Sequence, residues 1–188
     1  MINNKKNILV SVLLICLMVF TNSKLIAQEQ VNKDIVIAKD LKWSDKMTLT
    51  LMKRHPEAYR IDDSKTPKWD YVHGLVLHGI EELYKKNPDP RYKAYVRGYV
   101  DALVQEDGTI NTYELDKYNI DLVVPGRLLF DVYATTKEEK YLKALQLLRK
   151  QLSEQPRTKS GGFWHKQIYP NQMWLDGLYM GEPFYAQY

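Results

Sequence analysis

From Tyr92 the apolar positions fall at Tyr95, Val96, Tyr99, Val100, Leu103 and Val104, and from Tyr141 at Ala144, Leu145, Leu148 and Leu152. Steps of three and four put each set on one stripe of a helix whose other side is wet. Residues 71–84, 123–133 and 173–184 behave differently, because their apolar residues lie all round the helix. That pattern predicts helices covered by neighbours on most sides. Residues 43–59 add a weaker helical pattern, so the order reads outer, inner, outer, inner, outer, inner.

Turn signals separate these elements: Pro67 after a polar run, Asn87-Pro88-Asp89-Pro90, Asp107-Gly108 and Gly161-Gly162. No stretch alternates as a strand would. Helical hairpins repeating at roughly 40 to 50 residues describe units that cannot bury their own faces and must stack. The expected fold class is all-α. Periodicity alone leaves an α/α toroid, an open solenoid and a bundle as alternatives.

The chain has 188 residues, 45% of them hydrophobic, enough for one packed domain. Its net charge of +4 comes from basic and acidic residues interspersed, with no basic block of the kind that binds nucleic acid or an anionic membrane. Lys5 and Lys6 precede an apolar run at 8–20 that ends near Leu25-Ile26-Ala27. Residues 1–27 read as a secretory signal peptide and 28–40 as a linker, leaving 41–188 for the folded domain. The run is short for a membrane anchor. Cys16, the one cysteine, lies inside it and follows Ile15, where a lipoprotein signal has a small residue. A mature chain without cysteine excludes thiol catalysis and suits a bacterial periplasmic protein, with no membrane association after cleavage.

The beginnings of the all-round apolar helices carry polar and aromatic groups that a core does not need: Trp69, Asp70 and Tyr71; Asn119 and Asp121; Asn171, Gln172, Trp174 and Asp176. If those ends point to one side of a ring, two aspartates converge among aromatic rings. Asp121 also suits a helix cap, and Trp69 and Tyr71 also suit packing. Asp176 lies deeper in its apolar run, where Trp174, Leu175, Leu178 and Tyr179 would desolvate it and favour the protonated acid. His165 follows a Gly-Gly loop and suits either ligand contact or solvent. His55, His73 and His78 make no metal-ligand pattern with carboxylates, and no phosphate loop or serine-hydrolase elbow occurs, so no metal or cofactor is expected. The candidate chemistry is carboxylic.

The segment PRTKSGGFWHKQIYPNQMWLDGLYMGEPF, with YNIDLVVPGRLLFDVYATTKEEKYLKAL and WDYVHGLVLHGIEELY, resembles the unsaturated rhamnogalacturonyl hydrolases, glycoside hydrolase family 105. The resemblance runs from about Trp43 to Tyr188. It implies an (α/α)6 six-hairpin barrel acting on oligosaccharides that begin with a 4,5-unsaturated uronic acid. In that chemistry an aspartate protonates C4 of the vinyl ether, water adds at C5, and the hemiketal opens to release the next sugar. It differs from the paired-carboxylate displacement of most glycosidases. The family's catalytic aspartate matches Asp176 and its second aspartate Asp121; His165 and Trp174 match substrate contacts, with Trp69 and Tyr71 as further candidates. The near alternative is unsaturated glucuronyl hydrolysis of glycosaminoglycan fragments, and the distant one a non-catalytic sugar-binding module. The matched helices amount to about half of such a ring. The expectation is therefore an N-terminal portion that exposes inner apolar faces and turns over poorly alone. The sequence leaves the oligomeric state open.

Overall fold

In a computed structural model the described residues are 34–188, so the signal peptide expected at 1–27, Cys16 and the first part of the 28–40 stretch lie outside them. The chain divides into two compact units, one ending at Pro56 and one running from Glu57 to Tyr188.

The first unit contributes α1 (Trp43–Arg54), whose buried positions Asp45, Thr48, Leu49 and Met52 recur at three- and four-residue steps. The predicted helix at 43–59 stops early. His55 precedes Pro56, and the proline ring disfavours helical geometry in the residue before it; only a 3-10 turn at Ala58–Arg60 follows.

The second unit holds α2 (Tyr71–Lys86), α3 (Pro90–Leu103), a 3-10 segment (Ile120–Arg127) continuing into α4 (Leu128–Thr136), α5 (Glu139–Glu154) and α6 (Gly177–Gln187). Among the described residues the only β pairing is two isolated bridges, Val104 with Ile110 and Arg157 with Phe163. Helix starts follow local chemistry. Asp70 accepts from the Val72 amide at 2.9 Å and Asp89 from the Arg91 amide at 2.9 Å, with Pro90 at the first helical position. Lys137 turns left-handed at φ 58° and reverses the chain between α4 and α5.

α3 and α5 bury the stripes their spacing predicts and form an outer layer. The inner layer is α2, the 120–127 segment and α6, with the 3-10 segment packed between the other two. Contact there is close. A Cβ on Gly74 would lie 2.7 Å from the Pro125 nitrogen, and one on Gly181 would lie 2.7 Å from Ile120 Cδ1. The all-α, inner-and-outer architecture is the one expected, with two differences. The helix predicted at 123–133 starts earlier, at Ile120, and is 3-10 until Arg127, with Pro125 inside the 3-10 part. The helix predicted at 173–184 begins only at Gly177, and its apolar surface is not enclosed: Leu178 is 52% exposed and Leu175, just before it, 87%. Leu75 on α2 is likewise 49% exposed. Helices apolar all round need neighbours on both flanks, and α6 packs on the 120–127 segment and α5.

Candidate active site

Asp121 sits in the first turn of the 3-10 segment. Asn119 caps that turn, its Oδ1 accepting from the Asp121 amide at 3.1 Å, which frees the aspartate side chain. The capping role the sequence allowed for Asp121 belongs to Asn119. The carboxylate turns inward and is nearly buried. Oδ2 lies 2.9 Å from the Lys166 ammonium and Oδ1 lies 3.3 Å from His165 Nε2. An unpaired buried carboxylate would be costly; this one has a positive partner.

His165 is carried by a loop that the structure ties down on both sides. Its amide donates to Gln172 O at 2.8 Å, and its carbonyl accepts from the Ile120 amide at 3.0 Å. The ring is buried and lies against Trp174, centroids 4.1 Å apart and 11° from parallel. Tyr169 stacks on the same indole at 5.2 Å, and Trp174 Nε1 donates to Gln172 Oε1 at 3.1 Å. His165 Nδ1 faces Asp176 Oδ1 at 4.0 Å. A Cβ at Gly177 would make only ordinary contact with Nδ1, at 3.7 Å. One imidazole thus lies between two carboxylates, a nitrogen toward each. Asp121 Oδ1 and His165 Nδ1 are buried and complete no hydrogen bond within the protein, Oδ1 lying 3.3 Å from His165 Nε2 and Nδ1 4.0 Å from Asp176 Oδ1.

Asp176 differs from its expectation. It is the residue preceding α6, makes no cap hydrogen bond and is 52% exposed at the side chain. The apolar neighbours named in the sequence point away or are themselves exposed, so they do not desolvate it. A half-exposed carboxyl beside a buried histidine can reach a ligand that Asp121 cannot. A groove lined by Phe163, His165, Met173, Trp174, Leu178 and Glu182 shares His165 and Trp174 with this cluster, and neither aspartate is in its lining.

Asp121, His165, Trp174 and Asp176 therefore come together as expected. Trp69 and Tyr71 do not join them. Trp69 is buried, stacks on Tyr99 at 5.8 Å and donates from Nε1 to Leu122 O at 2.7 Å, so it holds the backbone that carries Asp121. Tyr71 is 40% exposed at the start of α2. Sequence reasoning passed over Lys166 and Tyr169; adjacency to His165 was the available signal for the lysine. The ligand atoms of Asp121, His165 and Asp176 lie within 4.8 Å of one another, close enough to share a cation. Lys166 already sets a positive charge against Asp121 and would repel a metal ion, so the cluster is better suited to moving protons.

Residues 43–188 match the Glycosyl Hydrolase Family 88 profile. A solved glycoside hydrolase from family 105, of C. acetobutylicum ATCC 824, is 43% identical with a TM-score of 0.70. The match covers 79% of this chain and 39% of that one, so the chain spans about two fifths of that structure's length. With the profile extending over most of its length, the chain belongs to glycosyl hydrolase family 88.

Proposed function

We propose that this chain is part of an exported, periplasmic hydrolase that removes 4,5-unsaturated uronic acid from the non-reducing end of lyase-generated rhamnogalacturonan oligosaccharides. The observation that carries the reading is the placement of a half-exposed Asp176 beside the buried His165–Asp121–Lys166 cluster, with Trp174 forming an aromatic wall.

In the proposed reaction Asp176 gives a proton to C4 of the vinyl ether. The resulting carboxylate takes a proton from the water that adds at C5, which returns Asp176 to its acid form. The hemiketal at C5 then opens and the next sugar leaves. His165 stands beside the Asp176 carboxyl, Nδ1 4.0 Å from Oδ1, and presents Nε2 to Asp121, whose charge Lys166 balances. Trp174, with His165 and Tyr169 stacked on its ring, offers an exposed edge to the sugar. The rhamnogalacturonan substrate rests on the resemblance of the segment ending in MWLDGLYMGEPF, and the family matches equally accommodate unsaturated glucuronyl substrates of glycosaminoglycan origin.

The test is loss of the near-ultraviolet absorbance of the unsaturated uronate when the protein is incubated separately with unsaturated rhamnogalacturonan and unsaturated glycosaminoglycan disaccharides. Loss with the first alone is expected. Loss with the second alone moves the substrate to glycosaminoglycan fragments. Sugar binding without absorbance loss in a folded protein leaves a binding module and overturns the hydrolase.

A further inference from the structure

The outer helix α5 buries Gln151, 0% exposed, in line with Leu145, Leu148 and Leu152, and Gln155, the residue just after the helix, is 3% exposed. Packing alone would favour leucine there, since a buried carboxamide is costly unless every donor and acceptor is met. Every one is met. Gln155 Nε2 donates to Tyr118 O at 2.6 Å and to Trp164 O at 2.8 Å, and its Oε1 accepts from Gln151 Nε2 at 3.1 Å. Gln151 Nε2 also donates to Asn119 O at 3.0 Å, and its Oε1 accepts from the Tyr113 hydroxyl at 2.7 Å.

The three carbonyls have one thing in common. Tyr118 and Asn119 lead into Asp121, and Asn119 is the residue that caps its turn. Trp164 precedes His165. A single amide, that of Gln155, bridges the two segments that carry the two halves of the Asp121–His165 contact. We infer that Gln155 is a positioning residue for this pair, with Gln151 as its support. Together they fix the register of the 118–121 segment against the 164–166 loop, as a fully satisfied buried network can. The inference rests on the reading of Asp121 and His165 as working groups.

The test uses the full chain, labelled for NMR, and compares the chemical shifts of the His165 ring nitrogens at one fixed pH without substrate. His165 faces Asp121 from the 3-10 segment and Asp176 from the start of α6, with Lys166 beside it. Its ring shifts therefore report the geometry of the pair. Gln155→Met keeps the volume and removes both donors. It is expected to displace the His165 ring shifts in the same direction as Asp121→Asn, by less. Gln151→Met, which frees only the 119 side, is expected to displace them less again. Val96→Ala, a core change in α3, lowers the melting temperature and leaves the ring shifts in place. A folded Gln155→Met protein with native ring shifts overturns the inference and leaves the glutamine a structural residue. Should that variant not fold, Gln155→Asn, which withdraws the amide by one methylene, is read in the same way. With unsaturated disaccharide, Gln155→Met is expected to lower kcat roughly tenfold to a hundredfold at unchanged KM. Because part of a ring is expected to turn over poorly alone, absence of turnover in the unsubstituted chain does not bear on Gln155, whose role the NMR comparison decides.

Discussion

The imidazole of His165 lies flat on the indole of Trp174, 4.1 Å between centroids. The contact locks the plane of a ring that must face Asp121 with one nitrogen and Asp176 with the other. Trp174 is itself 42% exposed, so it closes the histidine from one side and offers an edge to the groove. Trp174→Ala is expected to free the ring and lower kcat/KM about tenfold, the equivalent of one aromatic pairing energy. Trp174→Phe should recover much of the loss. A Trp174→Ala protein with unaltered kcat/KM would show that the stack plays no part.

Asp176 and Asp121 should separate activity from stability. The Asp176 side chain is half exposed and makes no cap hydrogen bond, so Asp176→Asn is expected to change stability by less than about 0.5 kcal/mol. The same change should reduce kcat roughly 100-fold or more through loss of the general acid. Asp121→Asn leaves Lys166 without its anion and is expected to cost about 1–3 kcal/mol in denaturant melts.

Two glycines in α2 predict opposite outcomes. At Gly74 a Cβ would meet the Pro125 nitrogen at 2.7 Å and the Pro125 Cα at 2.9 Å, backbone atoms that cannot step aside. Overpacking there costs about 1–3 kcal/mol and pushes on the segment bearing Asp121. At Gly79 nothing lies within 4 Å, so alanine should stabilise the helix by up to about 1 kcal/mol. Chemical denaturation of both variants checks the contrast.

Glu81 gives the fold a pH dependence. Burial pushes its carboxyl above the ordinary range, helped by the charge of Asp131, against the opposing contact from His78 Nδ1 at 3.3 Å. A group raised in the folded state contributes stability that is complete below its unfolded value and is lost as pH rises through its folded one. Glu81→Gln should therefore raise stability near neutral pH and leave it unchanged in acid, as read from denaturant midpoints across a pH series. Equal effects at both ends would show that Glu81 does not titrate in this way.

The helical periods, the one-sided stripes of α3 and α5 and the glycine and proline turns were legible because they follow from 3.6-residue spacing and local backbone sterics. So was the identity of the chemical groups: aspartate in an apolar run is conspicuous wherever it folds. The start of α6 and the 3-10 course of 120–127 were less legible, since Pro125 suits a first helical turn as well as a 3-10 segment.

What only the tertiary structure decided is which side chains meet. Asn119 rather than Asp121 caps its turn, Trp69 is spent on the Leu122 carbonyl, and Lys166 reaches Asp121 across a fold contact between residues 45 positions apart. Sequence spacing fixes what faces the same way along one helix. The distance between a 3-10 turn and a loop depends on the packing of every element between them, here on Gly74, Gly181 and the buried glutamines in and just after α5. The exposure of Asp176 follows the same logic: an apolar neighbourhood in sequence desolvates a carboxyl only if the fold turns those neighbours toward it.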